Sequence, residues 1–293
     1  MTYYPTTSEE VAEAVRSSQR LRVVGGGTKR GLSGEAKASE GERLSLRDVE
    51  GVLEYEPGEY VFRARAGTAV STIREMLESH GQYLPFDPPF VEEGSTLGGM
   101  VAAGLNGPGR LRYGGIRDFL IGVTFVSGEG RILRGGGKVV KNAAGFDLPK
   151  FLVGSLGKYG IFTELTFKVF PKPENFVTAR VEGESLRGGL EVVRKLRRSC
   201  LEPDAVELFG CGRAYVRLGG AEAALPRRVE RLLKEVEAAG GVLEENEAEG
   251  FWREGAAYGW SDEGEALLKV PVSRSSEASS SRPSLRWLLN SSK

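Results

Sequence analysis

Two short stretches carry the residue types that could do chemistry. Gly25-Gly26-Gly27-Thr28-Lys29 follows an apolar run, and Thr96-Leu97-Gly98-Gly99 comes about seventy residues later. In a glycine loop after a strand, successive backbone N–H groups can converge on one anion, and Thr28 and Lys29 add a hydroxyl and a positive charge. Taken alone, the first stretch reads equally well as a flexible surface turn. The second shifts that balance, because two phosphate-sized nests suit a pyrophosphate that bridges two larger groups. Neither stretch is a Walker loop, which needs Gly-Lys followed by Ser or Thr, and Gly-x-Gly-x-x-Gly is absent, so an ordinary nicotinamide Rossmann site is disfavoured.

Other chemistries are thinly supplied. His80 is the single histidine, so histidine metal clusters and a serine triad with a spare imidazole are excluded; it precedes Gly81 at the end of a helical pattern, where a cation suits the helix terminus. Cys200 and Cys211 have ten residues between them and no second pair to complete a zinc or iron–sulfur set, so both read as buried or incidental thiols. Arg112, Tyr113, Arg117, Asp118 and Lys141 are the polar residues that could act on a ligand beyond holding it, an arginine through planar hydrogen bonds to an anion. The competing reading is an internal ion pair, for example Arg117 with Asp118 or Asp147, and Asp147 also suits a helix N-cap.

The elements that must position these residues can be read along the chain. A helix is predicted from Ser8, with Glu9 and Glu10 at its positive end, and Leu21 to Val24 reads as a buried strand that runs into the first loop. Val52 to Tyr55 and Val61 to Ala66 read as strands, Thr68 as the cap of a helix carrying Val70, Ile73, Met76 and Leu77, and Gly81 as its end. Thr96 caps a small-residue helix in which Gly98, Gly99, Ala102 and Ala103 permit close approach. Phe119 to Val126 and Arg131 to Arg134 flank a hairpin turn, and Ile161 to Phe170 is a further strand. Pro171-Lys172-Pro173 marks a boundary, giving regions 1–172 and 173–272. The second region reads strand, helix, strand, strand, helix, strand over residues 176–243, which is the split βαβ order of a ferredoxin-like domain. From Ser273 to Lys293 serine dominates, and a flexible tail is expected.

Composition narrows the partners. The 293 residues are 40% hydrophobic, enough for two cores, and 40 basic residues balance 40 acidic ones, so no bulk field draws the chain to nucleic acid or an anionic membrane. No apolar run approaches the ~20 residues of a membrane span, and no secretory signal opens the chain, so a soluble cytoplasmic protein is expected.

The sequence resembles the FAD-binding proteins of the vanillyl-alcohol oxidase type and, within them, the E-subunit family of glycolate oxidase. The resemblance rests on Arg22-Val23-Val24-Gly25-Gly26-Gly27-Thr28-Lys29, on Asp87-Pro88-Pro89 followed by Thr96-Leu97-Gly98-Gly99, and on Asn106-Gly107-Pro108. It continues through Arg112-Tyr113-Gly114-Gly115-Ile116-Arg117-Asp118, Lys141-Asn142-Ala143-Ala144-Gly145-Phe146-Asp147 and Gly154-Ser155-Leu156-Gly157-Lys158-Tyr159-Gly160-Ile161. The resemblance implies an α+β fold, with a two-subdomain FAD-binding domain and a smaller ferredoxin-like α/β cap. Relatives continue past Leu267 to Val272 with more cap structure, so truncation, a shifted reading frame and a lineage difference all stay open.

As implied by the resemblance, Val24 and Gly25 to Lys29 hold the FAD pyrophosphate, while Pro88 and Thr96 to Gly99 lead toward the ribityl chain. Asn106, Gly107 and Pro108 lie near the flavin ring, Gly114 and Arg117 line the cofactor, and Gly160 and Ile161 offer backbone contacts. Many relatives attach flavin through a histidine near the first loop; none stands here, which implies non-covalent FAD. The implied reaction is oxidation of glycolate to glyoxylate in a complex with a catalytic FAD subunit and an iron–sulfur subunit, any membrane association being peripheral and through partners. The cap region contains no histidine, so an electron-transferring or structural role is expected rather than that of the main catalytic chain. A self-sufficient FAD-dependent 2-hydroxy-acid dehydrogenase and a scaffold that has lost FAD are the alternatives.

Overall fold

The computed structural model describes residues 1–29, 32, 41–137 and 146–258. They form two units: Met1–Asn106 with Gly114–Lys172, and Gly107–Tyr113 with the chain from Pro173 onward. Thus residues 107–113, read from sequence with the first region, group with the second.

The first unit opens with β1 (Thr2–Tyr3), α1 (Ser8–Ser17), β2 (Leu21–Val24) and β3 (Glu42–Ser45). Both β1 and β2 pair in parallel with β3. Thr7 caps α1 by accepting the Glu10 N–H at 3.2 Å. The buried side of the helix, Val11, Ala12 and Ala14, packs with Leu44, Leu46 and Val49.

Beyond this sheet follow β4 (Val52–Glu56), β5 (Val61–Arg65), α2 (Val70–Glu78), β6 (Gln82–Tyr83) and α3 (Leu97–Ala103). After α4 (Arg110–Tyr113), which belongs to the second unit, come α5 (Ile116–Phe119), β7 (Leu120–Val126), β8 (Ile132–Gly136), α6 (Leu148–Leu152), β9 (Ile161–Lys168) and β10 (Phe170–Pro171). The order β4-β5-β9-β7-β8 makes an antiparallel sheet, and β10 pairs with β6. The alternation in β5 sends Phe62 and Ala64 into the core, where Phe62 stacks on its cross-strand partner Phe167 with ring centroids 5.5 Å apart.

Thr68 does not cap α2. Its hydroxyl is buried and accepts from the Gly51 N–H at 2.9 Å, tying the turn before β4, and Ala69 at the N-cap makes no side-chain bond. Gly81 does end that region in the left-handed conformation, with φ +63°.

The second unit contains β11 (Asn175–Val181), α7 (Leu186–Arg198), β12 (Ala205–Leu208), β13 (Ala214–Gly220), α8 (Leu225–Val236), β14 (Gly240–Val242) and α9 (Glu245–Ala256). Its antiparallel sheet runs β12-β13-β11-β14, the ferredoxin-like topology expected from the βαββαβ order. Leu225, Val229, Leu232 and Val236 recur at helical spacing and bury one face of α8, joining Leu190, Val193 and Leu196 of α7 in one core. The sequence reading did not anticipate α9, which Trp252 seats on β11 by donating its indole N–H to Thr178 Oγ1 at 2.8 Å.

Among the described residues no helix is long and apolar enough to cross a membrane, and no cluster of His, Cys, Asp or Glu could hold a metal ion. Lys141, the expected strand Leu267 to Val272 and the expected tail 273–293 lie outside the described residues.

Candidate cofactor site

The first loop leaves β2 beside β3, whose pairing continues one step further as the Leu46 N–H donates to the Val24 carbonyl at 2.9 Å. That step delivers Arg47 to the loop. Its guanidinium donates to the carbonyls of Gly25 at 3.4 Å and Gly26 at 2.9 Å. The N–H groups of Gly26 and Gly27 donate to no acceptor among the described residues.

The second loop packs directly on the first. A Cβ at Gly25 would stand 2.4 Å from Thr96 Oγ1, and one at Gly26 would stand 2.0 Å from the Gly94 carbonyl oxygen. These two glycines therefore admit the neighbouring loop as well as any ligand. Backbone bonds fix that neighbour: Ser95 receives the Val70 N–H at 2.8 Å, and the N–H groups of Leu97 and Gly98 donate to Thr68 and Ala66 at 3.0 and 2.7 Å. Thr96 accepts from the Gly99 N–H at 3.3 Å and so caps α3 as expected.

Between the loops lies an open cleft of about 110 Å³. Val24, Gly25, Gly26, Gly27, Thr28, Lys29, Thr96 and Gly99 line it, so the two sequence motifs meet in one place. Val23, Ala102, Ala103 and Leu156 supply an apolar wall. The volume lies below the ~300 Å³ at which whole-ligand pockets begin, so it suits the diphosphate portion of a dinucleotide rather than all of it.

Lys29 is the charged group of the cleft. Its ammonium donates to Thr28 Oγ1 at 2.8 Å and to the fully buried Ser95 at 2.7 Å, and stands 5.1 Å from the centre of the Phe90 ring. Burial pushes its pKa down from 10.5 to about 8, and Glu93 pulls weakly the other way through space. Both hydrogen bonds run to neutral oxygens, so among the described residues the positive charge is held without a bonded counter-ion. Unpartnered N–H groups, a desolvated lysine, two hydroxyls and an adjoining apolar wall form a donor set that fits a diphosphate joined to a flat ring system.

Several expected site residues lie elsewhere. Leu97 is fully buried in the core, and Gly98 packs against Ala66. A Cβ at Gly160 would meet Phe125 at 2.4 Å, and Ile161 belongs to the α1 core cluster, while Pro88 does not line the cleft. Asn106 braces the loop ahead of α5, accepting from the Ile116 N–H at 2.7 Å and donating to the Gly104 carbonyl at 3.1 Å. Gly114 has φ +88° beside the Asp118 carboxylate, which accepts from the Gly115 N–H at 2.8 Å. Arg117 is exposed and acts on Asp147 through space; Asp147 itself caps α6, accepting from the Lys150 N–H at 3.2 Å. Gly107 and Pro108 are buried in the second unit.

Arg112 and Tyr113 are committed within that second unit. Asp204, fully buried, accepts from Tyr113 at 2.5 Å, from Arg112 at 3.0 Å and from the Gly219 N–H at 2.5 Å. An internal ion pair holds the Arg112 guanidinium, which also reaches Glu202 at 3.2 Å. Both cysteines are exposed free thiols, so of the two readings, buried or incidental, burial does not hold.

Sequence reasoning missed Leu156 and Arg47. A leucine between serine and glycine reads as core; the fold instead holds Leu156 at φ +52° on the cleft wall. Arg47 would have needed β3 to be recognised first.

Residues 1–136 match the family model described as FAD binding domain. The chain is 37% identical to glycolate oxidase subunit GlcE of Escherichia coli strain K12 over 81% of its length and 66% of that relative. It is 31% identical to D-lactate dehydrogenase of Anaerostipes hadrus over 70% of its length, and 29% identical to glycolate oxidase subunit GlcD of Bacillus subtilis strain 168 over 78%. It spans 43% and 49% of those two proteins. Among solved structures, alkyldihydroxyacetonephosphate synthase matches with TM-score 0.70 at 18% identity, over 86% of this chain and 53% of that one. p-Cresol methylhydroxylase with substrate bound matches with TM-score 0.67 at 16% identity, over 87% and 61%; both likenesses speak to the fold. From the paired glycine loops, the two-part α+β fold and these matches, the chain belongs to the family of proteins built on this FAD-binding domain.

Proposed function

We propose that the chain binds FAD non-covalently and serves as the FAD-binding subunit of a multi-subunit glycolate oxidase or dehydrogenase, in electron transfer or support rather than as the main catalytic chain. The observation that carries the reading is the convergence of both glycine loops on one cleft around Lys29. In this reading Val24 to Lys29, Thr96 and Gly99 hold the diphosphate. Pro88, Leu97 and Gly98 support the second loop, and Asn106, Gly114, Arg117, Gly160 and Ile161 serve the remaining length of the cofactor. Residues 1–172 form the FAD-binding region and 173–272 the cap. The subunit names of two relatives support the complex, and a catalytic FAD subunit and an iron–sulfur subunit are its proposed partners.

Bound FAD supplies the two-electron acceptor for a 2-hydroxy acid. The chain's own residues bind and orient it: the loop N–H groups and Lys29 neutralise the diphosphate, and the wall of Ala102, Ala103 and Leu156 excludes water from one side. A general base is a different matter. Arg112 and Tyr113 are engaged by Asp204, and Lys29 is held by two hydroxyls, so these three polar groups are occupied. The test is the visible spectrum of the purified chain, loaded with FAD, before and after glycolate. Flavin bands that persist support the subunit reading; bleaching by glycolate, or dye reduction by the isolated chain, would establish a self-sufficient dehydrogenase instead.

A further inference from the structure

We infer that Arg47 is a positioning residue that presets the first glycine loop for its anion, an inference that rests on the proposed diphosphate site. Every peptide bond of the described chain is trans, and a trans peptide directs its N–H opposite to its C=O. Arg47 holds the Gly25 and Gly26 carbonyls from one side, at 3.4 and 2.9 Å. The N–H groups of the same two peptides belong to Gly26 and Gly27, and so point away from Arg47. Those are the two N–H groups that find no acceptor among the described residues, and both glycines line the cleft, which Arg47 does not.

Glycine peptides flip easily, since neither flanking residue need resist a change of φ and ψ. Without the guanidinium, the loop would spend part of its time with carbonyl oxygens toward the cleft, and oxygen repels phosphate. A planar fork that reaches two acceptors suits this task where a single ammonium does not. Arg47 is exposed and touches the loop from outside, so its effect reaches the anion through the peptides rather than by contact.

The full chain would be titrated with FAD, with ADP, which shares the diphosphate, and with riboflavin, which lacks it. Arg47→Gln is expected to weaken FAD and ADP by the same factor, about tenfold, with riboflavin binding and the melting temperature of the free protein unchanged. Arg47→Lys, which keeps the charge and loses the fork, is expected to recover less than half of that loss on a logarithmic scale. Unchanged FAD affinity in Arg47→Gln would overturn the inference, as would full recovery in Arg47→Lys, which would reduce the role to bulk charge. An equal loss for riboflavin would do the same, by showing general damage. Failure of the unaltered chain to bind either FAD or ADP would overturn the diphosphate site itself, and so is distinguishable from failure of the Arg47 role alone.

Discussion

Lys29 carries a charge that the fold has already desolvated. Its pKa of about 8 lies below the unfolded value of 10.5, so the unfolded chain binds more protons than the folded one between those values. Stability of the free protein therefore rises with pH across that window, and the cost of the buried ammonium is fully present below pH 8. A bound diphosphate restores the charge by supplying a counter-ion. FAD affinity is accordingly expected to weaken as pH rises through about 8, by up to tenfold per unit, because binding must then take up a proton. Lys29→Met should flatten that dependence; fluorescence titration at pH 7, 8 and 9 measures both, and a wild-type profile no steeper than that of Lys29→Met would contradict the assignment. The motif Gly25 to Lys29 could be read as a candidate anion site because its residue types are the donors themselves. Arg47 was not legible, since its role depends on which carbonyls a strand brings within reach.

At the scale of elements, the contact between the two loops is backbone against backbone. In Gly26→Ala the new methyl would stand 2.0 Å from the Gly94 oxygen, which is main chain and cannot rotate away. That substitution is expected to cost ~1–3 kcal/mol in denaturant melts and to weaken FAD binding as the loops separate. Thr96→Ala, which removes the cap on α3, should cost ~1 kcal/mol in the same melts. In the second unit, Asp204→Ala strands the Gly219 N–H and removes one partner each of Tyr113 and Arg112. A loss of ~2 kcal/mol or more is expected there, measured by the same melts, and a neutral result would show that the buried carboxylate is dispensable.

Elements with their own periodicity were readable: β2, β5, β9, α7 and α8 fall close to where their apolar spacing put them. Others take their structure from partners. Glu42-Arg43-Leu44-Ser45 has one strongly apolar residue, and β3 exists because β1 and β2 flank it. Thr68 looked like a helix cap, but a turn near Gly51 claims its hydroxyl first. For Gly98 the sequence reported close approach correctly and left the approaching group unspecified; Ala66 is what approaches it.

For the whole molecule, the division into two units accounts for the separation of duties seen in the residues. The first unit carries both glycine loops and Lys29, and the second is a ferredoxin-like sheet with two helices on its major core. The βαββαβ order was visible because each element carries its own apolar face. The grouping of Gly107–Tyr113 with the second unit was not, because a partner of that segment, Asp204, stands ninety-one residues beyond Tyr113 in the chain. The central claim is that the two glycine loops form one FAD diphosphate site. Equilibrium titration of the purified full chain with FAD, followed by quenching of flavin fluorescence at pH 7, tests it most directly. The account predicts saturable uptake of one FAD per chain that Lys29→Met weakens at least tenfold; absence of uptake, or equal affinity in Lys29→Met, would contradict it.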